Sequence, residues 1–165
     1  MSDEQAHANA LFPDSGHDHG HCVRQAMEEA QALCRDRSAR LTPLRARVLE
    51  LIWQSHKPLG AYAILDMLAQ EGRRPAPPTV YRALEFLLKY GLVHRIASLN
   101  AYTGCNAPGH SATGQFLICR ECGTVAELSN SRISTAIEAA AEAEAFSTDQ
   151  HTVEITGICP HCKAA

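Results

Sequence analysis

Apolar residues recur at helical spacing through much of the first half of the chain. From Val23 they follow the i, i+3, i+4, i+7 rule of an amphipathic helix. A second helix is predicted from Thr42, an N-cap residue type that is followed by proline. A third helix is predicted over about 61–70, and a fourth over 79–90, which ends at Gly91. The pattern therefore predicts four helices before the first strand.

Residues 92–97 and 101–103 have the composition of two short strands, with a turn at Leu99 and Asn100 between them. Three helices followed by a helix and a hairpin form the element order of a winged helix-turn-helix domain. The fourth helix would then be the recognition helix and the hairpin the wing. A compact helical domain with no role in DNA binding has the same order, so the pattern alone leaves both interpretations open.

The pattern changes after Cys105 and a loop at 106–114. Strands are predicted at 115–120, 124–128 and 151–158, with an Ala- and Glu-rich helix at 131–145 before the last of them. A module this small cannot cover an apolar strand surface by itself. We therefore expect it to dimerise, and a two-fold dimer also matches a palindromic DNA site.

Two CxxC pairs, Cys119/Cys122 and Cys159/Cys162, carry the strongest chemical signal in the chain. Four thiolates in two tight pairs form a complete tetrahedral zinc site, and a closed site of this kind is structural. The second pair also spells CPHC, a sequence found in oxidising dithiol enzymes that need a helix behind the pair. Only three residues follow Cys162, which leaves no room for such a helix, and the zinc interpretation is preferred.

The predicted fold class is α+β, with three regions. Residues 1–22 are expected to be a disordered tail containing His, 23–105 a winged-helix DNA-binding domain, and 106–165 a small α/β dimerisation domain with the four-cysteine zinc site.

Charge is distributed unevenly, although the formal net charge is only −3. Residues 1–22, 23–95 and 96–165 carry −4, +5 and −4. A basic segment between acidic flanks is expected of a DNA-binding domain joined to another module, although a solvated basic surface has the same charge. No signal peptide or membrane span is apparent, which predicts a cytoplasmic protein whose seven cysteines are metal ligands or buried thiols.

Further candidate ligands lie outside the CxxC pairs. His94 and Cys105 would flank the wing, while His110 and Glu127 belong to the following module. A metal bound by both pairs would fix the orientation of the two domains, but unrelated surface residues remain the alternative. The stretch His17, Asp18, His19, His21, Cys22 is either unstructured tail or a low-affinity metal contact, and His56 is expected to be a surface residue.

Enzymatic signatures are absent from the sequence. It has no HxE with a downstream PCxxC, no HExxH, no GxSxG and no P-loop. The sequence therefore predicts no catalytic residues and no small organic substrate.

One combination of motifs is shared with a known family. PPTVYRAL at 77–84, EFLLKYGLV at 85–93, the following His94 and the CxxCG at 119–123 resemble the ferric uptake regulator family of bacterial metal-responsive repressors. The similarity is strongest to the zinc-responsive members and extends from Val23 to Cys162.

The resemblance implies a homodimer that binds AT-rich palindromes upstream of zinc-import genes. It implies two zinc ions per monomer, one structural at the four cysteines and one regulatory at His94, Cys105, His110 and Glu127. DNA contacts would be made by Tyr62, Thr79, Tyr81 and Arg82. The alternatives are an iron- or peroxide-responsive repressor of the same family and, from another class, a zinc-buffering or delivery protein that does not bind DNA.

Overall fold

The computed structural model describes residues 11–12, 18–109 and 114–164. The described residues form two compact units, one comprising 18–109 and the other comprising 11–12 with 114–164. The boundary follows Gly109 rather than Cys105. Two residues of the predicted tail belong to the C-terminal unit instead of forming a region of their own.

Four helices begin the N-terminal unit: α1 (His19–Asp36), α2 (Pro43–Trp53), α3 (Ala61–Gln70) and α4 (Pro77–Lys89). Helix α1 begins at His19 rather than at Val23, so the prediction of disorder up to residue 22 is wrong for 19–22. The reason is a cap, because the Asp18 carboxylate accepts a hydrogen bond from the Gly20 N–H at 2.9 Å.

The starts of α2 and α4 follow from local chemistry. The Thr42 hydroxyl accepts from the Arg45 N–H at 3.4 Å, which confirms the predicted N-cap. Helix α4 begins at Pro77, before the predicted start at Thr79, because proline fits the first helical positions where no N–H partner is needed. Helix α3 has the predicted bounds.

The wing follows α4 directly. Strands β1 (Val93–Ile96) and β2 (Ala101–Gly104) pair antiparallel around a 3₁₀ turn at Ala97–Leu99 and Asn100, whose φ is 47°. Apolar faces of the four helices pack against one another and against the wing. The innermost side chains of this core are Val48, Leu49, Leu51, Ile52, Ile64, Leu68, Val80, Leu84 and Leu87 of the helices, with Leu92 just before the wing. This packing confirms the predicted winged-helix architecture.

The C-terminal unit contains β3 (Gly114–Cys119), β4 (Val125–Glu127), α5 (Ser131–Ala143), β5 (Thr152–Gly157) and α6 (Pro160–Ala164). The strand order is β4-β3-β5, in which β4 runs antiparallel to β3 and β5 runs parallel to it. Helix α5 has no buried residue within this unit. No helix in the described part of the chain is long and apolar enough to cross a membrane.

Helix α6 corrects one expectation from the sequence. No room for a helix was expected behind the CPHC segment, yet Pro160 begins a five-residue helix in which the Lys163 N–H donates to the Cys159 carbonyl at 2.9 Å. Proline at the start supplies the fixed φ that helix initiation needs. The presence of a helix therefore cannot by itself decide between a zinc site and a redox pair.

Candidate metal centres and nucleic-acid interface

The four cysteines of the CxxC pairs meet at one edge of the C-terminal sheet. Strands β3 and β5 are parallel, so their carboxyl ends lie side by side, and Cys119 is paired in register with Gly157. Cys119 ends β3, while Cys159 follows β5 by one intervening residue. All four sulfur atoms lie within 4.8 Å of one another.

Backbone N–H groups point at these sulfurs. The Cys159 N–H donates to Cys119 Sγ at 3.3 Å, and the Cys162 N–H donates to Cys159 Sγ at 3.5 Å. Gly123, with a φ of 75°, permits the tight turn in which its N–H bonds to the Cys119 carbonyl at 2.9 Å. The loops after the two strands are therefore shaped around the sulfur atoms.

The same contacts shift the pKa values of the thiols in opposite directions. Backbone N–H groups of Cys122 and Cys159 lower the pKa of Cys119 to about 6, and the hydroxyl of Thr124 lowers the pKa of Cys122. The neighbouring Cys159 side chain is the main cause that raises the pKa of Cys162 to about 12. These contacts favour ionisation of Cys119 and Cys122, whereas the neighbouring sulfurs disfavour ionisation of Cys162.

This donor set fits zinc. Four sulfurs at mutual ligand distance can supply a full tetrahedral shell, which leaves no open position for a substrate. Because the pair 159/162 lies against the pair 119/122 rather than alone, the arrangement favours a metal site over a dithiol redox pair.

A second group of potential ligands lies at the end of the wing. His94 is on β1 opposite Thr103, and Cys105 follows β2, where its N–H bonds to the Leu92 carbonyl at 3.1 Å. Hydrogen bonds of the hairpin therefore place the two side chains together, with ligand atoms within 4.8 Å of each other. Cys105 is only 2% exposed, and a buried thiol beside an imidazole can form half of a metal site.

The remaining predicted ligands belong to the other unit. Glu127 is the last residue of β4, half-buried and paired with Phe116. His110 lies outside the described residues. That all four side chains bind one metal ion stays a prediction.

Helix α4 exposes the face that was predicted to read DNA. Thr79, Tyr81 and Arg82 are exposed, together with Glu85 and Lys89, while the opposite face is buried in the core. Pro77 and Pro78 have no N–H group, so few backbone donors are free at this helix start. The donors available at this end are therefore mainly side chains, such as the hydroxyl groups of Thr79 and Tyr81.

The predicted DNA-binding tyrosines border a common cleft. Tyr62, at the start of α3, is 73% exposed and Tyr81 is 40% exposed. Both line a cavity of about 150 Å³ that also includes Leu99 and Asn100 of the wing turn. Exposed aromatic rings beside a basic helix are suited to contact with bases and sugars.

The wing adds a cation that the sequence analysis did not single out. Arg95 is exposed on β1, and its Nη2 donates to Asn100 Oδ1 at 3.0 Å. This bond holds the guanidinium near the wing turn. The alternation of buried and exposed residues in β1 would have indicated its orientation.

Most of the His-containing stretch lies in α1, which begins at His19. The rings of His19 and His56 lie with their centroids 4.7 Å apart, and His56 is half-buried rather than a simple surface residue. His17 lies outside the described residues. No group of three or more potential ligands forms here among the described residues.

A winged helix with an exposed basic recognition helix, combined with a four-cysteine metal site, defines a metal-binding transcription regulator. The model of the ferric uptake regulator family matches residues 36–156. The chain belongs to the ferric uptake regulator family.

Individual relatives point to the zinc branch of that family. The zinc uptake regulation protein of Escherichia coli (strain K12) is 34% identical over 143 residues, which cover 85% of this chain and 82% of the relative. In the crystal structure of holo XcZur, the matched chain has 40% sequence identity to this one and a TM-score of 0.79. The match covers 84% of this chain and 97% of the XcZur chain. A zinc uptake regulator complexed with zinc and DNA is 33% identical in sequence and also has a TM-score of 0.79. The match covers 86% of this chain and 95% of that regulator's chain.

Proposed function

We propose that this protein is a zinc-responsive transcriptional repressor of zinc-uptake genes. It acts in the cytoplasm as a zinc-loaded homodimer on AT-rich palindromic operators. The observation that carries the proposal is the similarity over most of the chain to zinc uptake regulators, one of which is complexed with zinc and DNA. The exposed face of α4 and the donor set of the four cysteines support it.

Two zinc ions per monomer would have separate roles. Cys119, Cys122, Cys159 and Cys162 would hold the structural zinc, which cross-links the ends of β3 and β5. His94, Cys105, His110 and Glu127 would hold the regulatory zinc. A thiolate with two imidazoles and one carboxylate suits zinc, whereas iron(II) and manganese(II) sites favour nitrogen and oxygen ligands alone.

The proposed regulatory ligands are divided between the two units of the chain. His94 and Cys105 are held together by the wing, so the N-terminal unit would supply these two ligands side by side. Binding of zinc to ligands of both units is linked to their relative orientation, and through it to the spacing of two recognition helices in a dimer. A tenfold gain in DNA affinity requires only about 1.4 kcal/mol of differential metal binding.

Features of the C-terminal unit support dimerisation. Strand β5 is at an edge of the three-stranded sheet, and α5 buries no residue within its own unit. Ile155, Ile158 and Phe146 are exposed apolar side chains of the same unit. An edge strand and a helix without a fully buried residue are surfaces that a second copy would cover.

DNA contacts are assigned to the exposed face of α4 and its surroundings. Arg82 would read guanine O6 and N7 with its two guanidinium donors, and Tyr62 would contact a thymine methyl group. Thr79 and Tyr81 would donate their hydroxyl groups to phosphates, since prolines occupy the first two positions of α4.

A gel-shift experiment with metal-free protein and an AT-rich palindrome tests the proposal. Zinc should restore operator binding, and a chelator should reverse it. If iron(II) restores binding and zinc does not, the protein is an iron- or peroxide-responsive member of the family. If no metal produces a shift, although zinc binds, the zinc-buffering alternative replaces the repressor.

A further inference from the structure

The short apolar segment Leu11 and Phe12 packs against the four-cysteine site. Phe12 is only 7% exposed and forms a buried cluster with Cys119, Ala126 and Cys159, with Leu11 packed at its edge. These contacts lie within the C-terminal unit, although more than 100 residues of sequence separate Phe12 from Cys119. A phenyl ring in this position removes one side of the sulfur cluster from water.

A polar contact fixes the same segment. The Nε2 atom of His161 lies 3.0 Å from the carbonyl oxygen of Phe12, so a protonated Nε2 donates to that carbonyl. His161 lies in α6, between the proposed ligands Cys159 and Cys162 in the sequence. The backbone of the tail is therefore anchored to the second CxxC loop itself.

The surroundings of the ring are apolar. A cavity of about 100 Å³ beside Phe12 is lined by Leu117, Ile118, Ile155 and Ile158 as well as by Cys119 and Cys159. Apolar groups around a metal site control the access of water and competing ligands to the metal. Because Phe12 is the part of this lining that comes from a distant segment, its removal would open the site without changing the CxxC loops.

We propose that Leu11–Phe12 is a built-in cover of the four-cysteine site, which slows zinc release and shields Cys119 and Cys159 from thiol reagents. The inference rests on the structural zinc of the proposed function. Zinc leaves a thiolate site when an incoming ligand reaches the metal or a sulfur, so the rate depends on access as well as on affinity.

Zinc release and cysteine alkylation test the cover directly. Full-length zinc-loaded protein is mixed with excess of a coloured chelator, and release from the slow site is compared for the wild type, Phe12→Ala and His161→Ala. Because burial of a phenyl ring is lost, Phe12→Ala should release zinc about tenfold faster and should be alkylated faster at Cys119 and Cys159. His161→Ala should show a smaller acceleration, since it removes only the backbone anchor.

Gln150→Ala is the control. Gln150 belongs to the same unit, is exposed and is not assigned to either metal site or to the dimer surface, so the control should leave both rates unchanged. Equal rates for Phe12→Ala and wild type would overturn the cover. If the purified wild type holds no zinc at the four cysteines, the structural-zinc proposal fails, whereas alkylation of metal-free wild type and Phe12→Ala still decides whether Phe12 shields the thiols.

A photo-crosslinking amino acid at position 12 identifies the chain that supplies the cover. Dimers assembled from equal amounts of light and heavy isotope-labelled chains are irradiated, and the cross-linked peptides are analysed by mass spectrometry. Cross-links to the region of Cys119 and Cys159 within one isotope label support a cover from the same chain. Mixed-label cross-links would overturn that assignment in favour of a partner's tail.

Discussion

Gly104, the last residue of β2, lies directly against the indole ring of Trp53 at the end of α2. A β-carbon at position 104 would overlap the atoms Cε2, Cζ2 and Nε1 of that ring. Gly104 pairs with Val93 across the wing and immediately precedes Cys105, the buried candidate ligand. The absence of a side chain therefore lets helix α2 support the strand that positions Cys105.

Gly104→Ala should destabilise the N-terminal unit by about 1–3 kcal/mol, because the indole ring must move or the strand must shift. Trp53 is the only tryptophan in the chain, so its fluorescence in a urea titration reports this unit. Gly60→Ala is the control, since an added β-carbon there would be 3.8 Å from its nearest neighbour. Stability of Gly104→Ala equal to that of the control would contradict the packing argument.

Substitution of single cysteines should distinguish the roles of the two proposed zinc sites. Cys119→Ser should lose the structural zinc and the cooperative unfolding of the C-terminal unit, because one of four mutually close sulfurs is gone. Cys105→Ser should keep one zinc per monomer and a folded dimer but lose zinc-dependent operator binding. Metal analysis, thermal unfolding and gel shifts distinguish the two variants. Identical behaviour would show that the assignment to separate roles is wrong.

Arg82→Ala should weaken operator binding by about 1–3 kcal/mol if the guanidinium makes a bidentate contact with guanine. Arg82→Lys is more informative, because lysine keeps the charge but loses the two-pronged geometry. It should retain non-specific DNA binding and lose discrimination between operator and scrambled DNA. Lys163→Ala, in the C-terminal unit, controls for the loss of one positive charge. Full discrimination by Arg82→Lys would exclude base reading by this side chain.

Acid stability should depend on the ion pair between Arg47 and Glu71, in which Arg47 Nη2 lies 2.5 Å from Glu71 Oε1. Hydrogen bonds from Arg47 hold the pKa of the Glu71 carboxyl below its usual value. The folded pKa is therefore lower than the unfolded one, so the stabilisation is present above the unfolded pKa and is lost as the pH falls through the folded pKa.

Glu71→Gln consequently should lower the melting temperature near neutral pH, and the difference from wild type should close in acid. Melting curves followed by Trp53 fluorescence between neutral pH and the acid limit of folding measure this gap. Glu28→Gln, at an exposed position on α1, is the control for the replacement of a carboxylate by an amide. A gap for Glu71→Gln that stays constant with pH would contradict the linkage.

Local signals in the sequence were sufficient for most elements of the fold. Gly60 and Gly72 bracket α3, and Thr42 with Pro43 starts α2, because breakers and caps act on their immediate neighbours. The start of α1 was missed because Asp18 caps a turn of polar residues that has no apolar periodicity. The position of Phe12 was missed for a different reason, since a contact made across most of the chain leaves no local pattern.

The candidate sites also combine features that local sequence predicts with features that only the folded chain shows. Each CxxC pair is local, and parallel pairing of β3 and β5 brings the two pairs to one edge. The closeness of His94 and Cys105 follows from the hairpin register, which sequence position suggested but did not specify. The left-handed backbone at Asn100 agrees with the predicted turn, since asparagine is enriched in this conformation, but the turn alone does not show that the Asn100 side chain accepts from Arg95.

The parallel pairing of β3 with β5 also determines the order in which the C-terminal unit can fold. Strand β4 follows β3 closely in the sequence and can pair with it early. Strand β5 becomes available only after all residues of α5 have been synthesised. Pairing of strands distant in sequence is slow because the intervening chain must first be closed into a loop. During this interval Cys119 and Cys122 lack the second half of their metal site. A newly synthesised molecule therefore passes through a stage in which two of the four proposed zinc ligands are present without the other two.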